Sequence, residues 1–195
     1  MFHRFAFAAA LVLASAASGQ ATPLFFGNSA PGPLAMLDPE PAPAAEPTRV
    51  LVDYSGQQAP GTVIVSTAER RLYFVLPGRR AIRYAVGVGR EGFQWAGTQT
   101  ITRKQEWPDW TPPEEMIQRQ PYLPRFMAGG PGNPMGARAL YLGGTVYRIH
   151  GTNQPQTIGS AVSSGCFRLV NKDVIDLYER VPVGTKVIVR QRPEV

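Results

Sequence analysis

From Arg49 onward the chain consists of short apolar runs separated by turn residues, and this punctuation restricts the possible folds more than any other feature of the sequence. Short runs bounded by Gly, Pro, Asn, Asp or Ser are typical of strands rather than of helices. The 20 Gly and 19 Pro of the chain mark turns throughout and disfavour long helices. The pattern therefore predicts an all-β or β-dominated sandwich.

The apolar runs predict strands at Val50–Val52, Thr62–Ser66, Leu72–Leu76, Ala81–Val88, Thr98–Arg103, Ala139–Leu142, Thr145–Ile149 and Thr185–Arg190. A short helix is predicted from Pro112 to about Gln118, because Thr111 and Glu114 have the spacing of a capping box. A second helix is predicted to follow Asn171 as its N-cap and to end before Pro182. Its apolar face would be Val174, Ile175, Leu177, Tyr178 and Val181.

Two tryptophans, Trp107 and Trp110, flank the first predicted helix. Packing in the core is the favoured interpretation for such large aromatic side chains, and a position beside a substrate cleft is the alternative.

The N-terminal part of the chain has the composition of an export signal followed by a tether. Residues 1–21 combine Arg4 with an apolar run, Phe5–Leu13, and small residues, which together are typical of a secretory signal peptide. The apolar run is too short to span a bilayer, although a retained anchor is an open alternative. Residues 22–48 are rich in Pro and Ala and predict a flexible linker, so the folded domain is expected at 49–195. Export predicts a periplasmic or cell-envelope location, with no stable membrane span once the signal is cleaved.

The net charge of +6 comes without a block of Lys or Arg interleaved with aromatic residues, so binding to nucleic acid is not expected. The chain has one cysteine, Cys166, so no internal disulfide can form. An unpaired thiol is a liability in an oxidising compartment unless it is used, and this argues mildly for a functional role.

Cys166 follows His150 by 16 residues, and the other histidine, His3, lies in the predicted signal. A cysteine attacks carbonyl groups as the thiolate, which a neighbouring imidazole can generate. A lone cysteine or histidine is more often a packing residue, so the pair alone does not establish catalysis. One histidine and one cysteine cannot form a zinc site, so neither a metal nor a cofactor is predicted.

The segment around this pair reads HGTNQPQTIGSAVSSGCFRLVN. Its H-G-T-N start and its S-S-G-C-F-R-L-x-N end resemble the signature of the L,D-transpeptidase (YkuD-type) catalytic domain of bacterial cell-wall enzymes. The resemblance is densest between Tyr141 and Tyr178. It implies a mainly β domain of packed mixed sheets, similar to a sandwich, with one or two short helices.

The resemblance also implies roles for the residues of the motif. Cys166 would be the nucleophile and His150 the base, with the carbonyl of Gly151 holding the second ring nitrogen. Backbone N–H groups of Gly165 and Cys166, together with Ser164, would form the oxyanion hole.

Further residues are assigned around this centre. Arg168 would either bind a substrate carboxylate or hold its loop through a salt bridge. Tyr141 is a further candidate for substrate binding, and Asn171 and Ser163 are expected to support the loop. Many relatives have a histidine where this chain has Ser164, so a second histidine cannot take part in the reaction.

The implied substrate is the peptide stem of peptidoglycan. The thiolate would attack the bond before the terminal D-Ala of a tetrapeptide, release D-Ala, and pass the acyl group to an amine. If the acceptor is a second stem, the product is a 3-3 cross-link. If it is an envelope protein, that protein becomes anchored to the wall. If it is water, the enzyme is an L,D-carboxypeptidase. A catalytically silent wall-binding module is the alternative of a different class. In that module the thiol would resist alkylation, whereas a catalytic thiol should have a low pKa.

Overall fold

The structure, a computed structural model, describes residues 47–193. The predicted signal peptide and all but the last two residues of the predicted linker lie outside the described residues, and these two segments stay predictions. Within residues 47–193, no helix is long and apolar enough to cross a membrane.

The described chain is mainly β. In chain order the strands are β1 Arg49–Asp53, β2 Val63–Ser66, β3 Arg71–Leu76, β4 Arg80–Ala85, β5 Val88–Gly89, β6 Gly97–Glu106, β7 Arg138–Leu142, β8 Arg148–His150, β9 Ala161–Ser163, β10 Phe167–Arg168 and β11 Lys186–Arg190. The α-helices are α1 Glu114–Arg119 and α2 Asn171–Arg180, and a 3-10 helix covers Pro155–Thr157.

Nine strands form one curled mixed sheet in the order β1-β4-β3-β2-β11-β6-β7-β8-β10, and β5 and β9 form a small second sheet. The β2–β11, β8–β10 and β5–β9 pairs are parallel, and the other pairs are antiparallel. The prediction of a mainly β fold with mixed strands and two short helices is confirmed.

The alternation of side chains along the strands separates two apolar cores. Val63 and Val65 of β2 belong to the larger cluster, whereas Ile64 between them belongs to a smaller cluster on the opposite face. Helix α2 covers the larger cluster with Val174 and Leu177, both fully buried. This packing fixes α2 beside the strands that carry the functional motif.

Two predicted strands are shorter in the structure. The run Thr145–Ile149 begins as a turn, because the Thr145 hydroxyl donates to the Leu142 carbonyl at 2.6 Å and accepts the Tyr147 N–H at 3.1 Å. The strand β8 therefore starts only at Arg148. The run Ala81–Val88 is split between β4 and β5.

Both predicted helix caps are wrong. Helix α1 begins at Glu114 and has no side-chain cap, because Pro112 precedes a second proline and Pro113 itself is extended, with ψ 147°. At α2 the cap position is Val170, and Asn171 is the first helical residue. The Asn171 side chain bonds elsewhere, as described below.

Candidate active site

The last two strands of the large sheet bring the predicted catalytic pair to one face. Strands β8 and β10 are parallel neighbours, with Phe167 opposite Ile149 and Arg168 opposite His150. Phe167 and Ile149 are buried in the core, so the residues that alternate with them face the other way. Cys166 directly precedes β10, and His150 ends β8. The two side chains therefore line one cavity of about 280 Å³.

The segment around α1 and the loop before β7 also line this cavity. The first contributes Trp110, Met116 and Leu123, and the second contributes Pro134 and Met135.

The favoured interpretation of the two tryptophans as core residues is wrong for Trp107, which is 41% exposed. Trp110 is half-buried and lines the cavity, as the alternative interpretation has it.

The Cys166 side chain is partly accessible at the cavity wall, and its sulfur lies 3.9 Å from the Val146 carbonyl oxygen. Burial raises the pKa of the thiol, while the guanidinium groups of Arg148 and Arg168 act in the opposite direction. The raised pKa contradicts the low thiol pKa expected from the sequence, because desolvation outweighs the nearby positive charges.

The imidazole of His150 is almost completely enclosed, with 4% of its surface exposed. Burial and, secondarily, the charge of Arg168 lower its pKa to about 3, against smaller contributions from the Gly151 and Met135 carbonyl groups. The Nδ1 atom of the ring makes no hydrogen bond to any described residue, and this includes the Gly151 carbonyl that was expected to hold it. His150 is thus neutral at physiological pH.

A short hydrogen-bonded loop presents the sulfur. The Ser163 hydroxyl donates to the Cys166 carbonyl oxygen at 2.6 Å and accepts the Gly165 N–H at 3.2 Å. The Gly165 N–H therefore has a partner within the loop, whereas the N–H groups of Ser164 and Cys166 donate to no acceptor in the described part of the chain.

Residue 165 must be glycine for two reasons. Its φ is +105°, and a Cβ atom there would meet the Tyr147 ring at 2.5 Å. The Tyr147 ring stacks on Trp95 with a centroid distance of 4.6 Å, and the indole N–H of Trp95 donates to the Gly165 carbonyl at 2.9 Å. This aromatic pair therefore holds the loop at Gly165.

Asn171 fastens the chain on the other side of the site. Its Oδ1 atom accepts the N–H groups of Ala137 at 3.0 Å and Thr152 at 3.2 Å. A Cβ atom on Gly151 or Gly136 would collide with this same oxygen. The amide therefore ties the residues that follow His150 to the start of β7.

Two arginines flank the pair. Arg148 and Arg168 both line the cavity, and the Nε atom of Arg168 is buried without a partner among residues 47–193. The salt bridges of the described residues include neither arginine, so the structure offers no support for a loop-holding salt bridge of Arg168. Tyr141 does not line the cavity; its ring lies 5.3 Å from the Arg148 guanidinium carbon. Its role in substrate binding stays a prediction.

The sequence interpretation missed Arg148 and Trp95. Arg148 lies two residues before His150, so strand alternation could have placed it on the same face. No sequence signal ties Trp95 to Gly165, since the contact joins residues 70 positions apart. Among the described residues, no group of three His, Cys, Asp or Glu side chains could hold a metal ion.

Comparison with known proteins identifies what this arrangement is similar to. Residues 60–189 match the family model YkuD, the L,D-transpeptidase catalytic domain. A relative from Escherichia coli (strain K12), named probable L,D-transpeptidase ErfK/SrfK, is 41% identical over 140 residues. The match covers 67% of this chain but 44% of that relative, so the chain spans less than half of the relative's length.

Solved structures share the fold. A structure of an L,D-transpeptidase from Mycobacterium smegmatis has a TM-score of 0.54 at 18% identity and covers 66% of this chain and 58% of that one. A structure from Brucella melitensis, described as a probable carnitine operon oxidoreductase caia, has a TM-score of 0.50 at 45% identity. It covers 74% of this chain and 94% of that one.

Proposed function

This chain belongs to the YkuD family of L,D-transpeptidase catalytic domains, and on that premise we propose that it is a cysteine-dependent acyltransferase that acts on peptidoglycan peptide stems. The observation that carries the proposal is the shared cavity of His150 and Cys166, which paired strands bring together from positions 16 residues apart. A silent wall-binding module would have no need for an accessible thiol beside a neutral imidazole.

In the first half of the reaction, the neutral His150 ring takes the proton of the Cys166 thiol as the sulfur attacks the carbonyl carbon before the terminal D-Ala. The resting pair is thiol and imidazole, because burial disfavours both charged forms. The developing negative charge raises the basicity of the ring during the attack. The imidazolium then gives its proton to the leaving D-Ala amine, and a thioester remains on Cys166.

The oxyanion that forms in this step needs donors that are not already engaged. The backbone N–H groups of Ser164 and Cys166 fit this requirement, whereas the N–H of Gly165 is shared with the Ser163 hydroxyl. We therefore assign the oxyanion hole to Ser164 and Cys166, with Gly165 supplying the backbone conformation.

In the second half, an amine acceptor gives a proton to His150 and attacks the thioester, and the thiolate leaves. A neighbouring stem peptide or an envelope protein as acceptor makes the enzyme a transpeptidase. Water as acceptor makes it an L,D-carboxypeptidase. The proposed location is the periplasm or cell envelope, reached through the signal at 1–21 and the linker at 22–48, with the catalytic domain at 49–195.

The description of the Brucella structure names a different activity, an oxidoreductase. The family match and the name of the Escherichia coli relative favour acyl transfer. The pairing of one thiol with one imidazole also fits acyl transfer directly.

The proposal is tested by incubating the purified chain with a tetrapeptide stem and measuring free D-Ala. Cys166→Ala should abolish release without changing the melting temperature. Ser55→Ala, at an exposed position outside the cavity lining, should match the wild type. Mass spectrometry of the peptide products identifies the acceptor as a second stem or as water. D-Ala release by Cys166→Ala at the wild-type rate would remove the thiol from the reaction.

A further inference from the structure

A second cavity of about 350 Å³ adjoins the active site, and we propose that it binds the carboxylate groups of the peptide substrate through Arg90, Arg119 and Arg168. We call it the arginine pocket; its remaining lining residues include Gln154 and Ser164. This inference rests on the proposed function, since it names a part of the substrate that the same site would hold.

The arginine pocket and the cavity that contains Cys166 are neighbours and share part of their lining. Arg168, Ser164 and Gln154 line both, as do Met116 and Gln120 of the α1 segment. A peptide whose scissile carbonyl reaches Cys166 can therefore extend past Ser164 into the arginine pocket without leaving the surface of the protein.

The charge of the arginine pocket is unbalanced. Three guanidinium groups line it, and no Asp or Glu is among its lining residues. The salt bridges among residues 47–193 involve none of the three. Arg90 and Arg168 are partly buried and Arg119 is exposed. Like charges at one pocket repel each other unless an anion lies between them, so the cluster is suited to a ligand with more than one negative group.

The guanidinium groups are also held in place. The Arg90 and Arg119 side chains both lie against the ring of Phe93, at 4.4 Å and 5.1 Å from its centroid. One aromatic side chain thus keeps two cations, which come from distant parts of the sequence, beside the same pocket.

The third arginine, Arg168, lines the pocket with a partly buried side chain. The Nε–H of Arg168 is buried and has no acceptor in the described part of the chain. This atom is enclosed, so a ligand carboxylate in the arginine pocket would bind to the terminal amino groups of the Arg168 guanidinium, which carry charge-assisted donors. The carboxylates of a peptide stem have the chemistry that this pocket recognises.

The single cysteine allows a test that needs no peptide. Iodoacetate and iodoacetamide both alkylate the Cys166 thiolate, so the fraction of thiolate affects both rates equally and cancels in their ratio. Only iodoacetate is negatively charged, so the ratio reports how strongly the site attracts an anion. We expect Arg90→Gln and Arg119→Gln each to lower the iodoacetate-to-iodoacetamide ratio by about two- to fivefold, and the double variant to lower it further. Arg79→Gln, which removes the same charge from the exposed β3–β4 turn, should leave the ratio unchanged.

Competing anions identify the ligand chemistry. Citrate should protect Cys166 from iodoacetamide in the wild type but not in the double variant, and inorganic phosphate should protect less at equal concentration. Equal protection by phosphate would overturn the assignment to carboxylates. A ratio that falls equally in Arg79→Gln and in the double variant, or in neither, would overturn the pocket itself.

The peptide substrate provides the link to function. With a stem peptide that carries free carboxylates, the double variant should raise KM several-fold while kcat changes little, and the amidated peptide should show no such rise. If the wild type releases D-Ala but the iodoacetate-to-iodoacetamide ratio does not change in the arginine variants, this inference alone is wrong. If the ratio falls in the arginine variants but the wild type releases no D-Ala, the proposed function is wrong and the anion-binding pocket stands.

Discussion

The buried imidazole of His150 should make the domain lose stability as the pH falls below 6.5. Its pKa drops from 6.5 to about 3 because burial, helped by the charge of Arg168, disfavours the protonated ring. Between these two values the unfolded chain binds a proton that the folded chain does not, so acid favours unfolding. Relative to about pH 7.5, the ring alone then costs about 2 kcal/mol at about pH 5, from about 1.4 kcal/mol per pKa unit.

The assay is urea unfolding of the wild type and of His150→Gln at both pH values. The glutamine cannot titrate. For each protein, the free energy of unfolding at one pH is compared with that at the other, so any loss of stability that the substitution causes at both pH values cancels. The wild type should lose about 2 kcal/mol more than the variant on acidification. Equal losses in the two proteins would refute the neutral, enclosed imidazole on which the resting state of the site depends.

Two further substitutions test the loop and the flanking charge. Gly165→Ala should lower the free energy of unfolding more than Gly184→Ala. Both positions have positive φ, so alanine costs on the order of 1–3 kcal/mol in backbone strain at either one. Only at position 165 would the new Cβ atom also collide with a side chain, the ring of Tyr147. Urea unfolding measures this excess, and equal losses would contradict the contact. Arg148→Gln should raise the pKa of the Cys166 thiol further, because the guanidinium lowers it, so the pH profile of iodoacetamide alkylation should move upward. An unmoved profile would show that this charge does not reach the sulfur.

The strands could be predicted because their signal is local. Val63, Ile64 and Val65 form an apolar run in the sequence, and the structure makes them β2. The same local signal predicts the strand that ends beside His150, and the structure ends β8 at His150. The cap predicted at Asn171 failed because its side chain has competing partners. Asn171 has a capping residue's chemistry, but the N–H groups of Ala137 and Thr152 take its oxygen.

The parts of the site that could not be predicted depend on contacts between distant residues. Trp95 donates to the Gly165 carbonyl, and Arg90 and Arg119 both pack on Phe93. Neither contact leaves a spacing or a periodicity in the sequence. The raised thiol pKa was missed for a related reason, since the burial that causes it is a property of the whole fold.

The most direct test of the account is the mass of the intact chain after brief incubation with a tetrapeptide stem and an acid quench. We expect a mass increase equal to the acyl group of the stem without its D-Ala, attached at residue 166 and labile to hydroxylamine. Free D-Ala that accumulates while no adduct forms on Cys166 at any time before the steady state would contradict it.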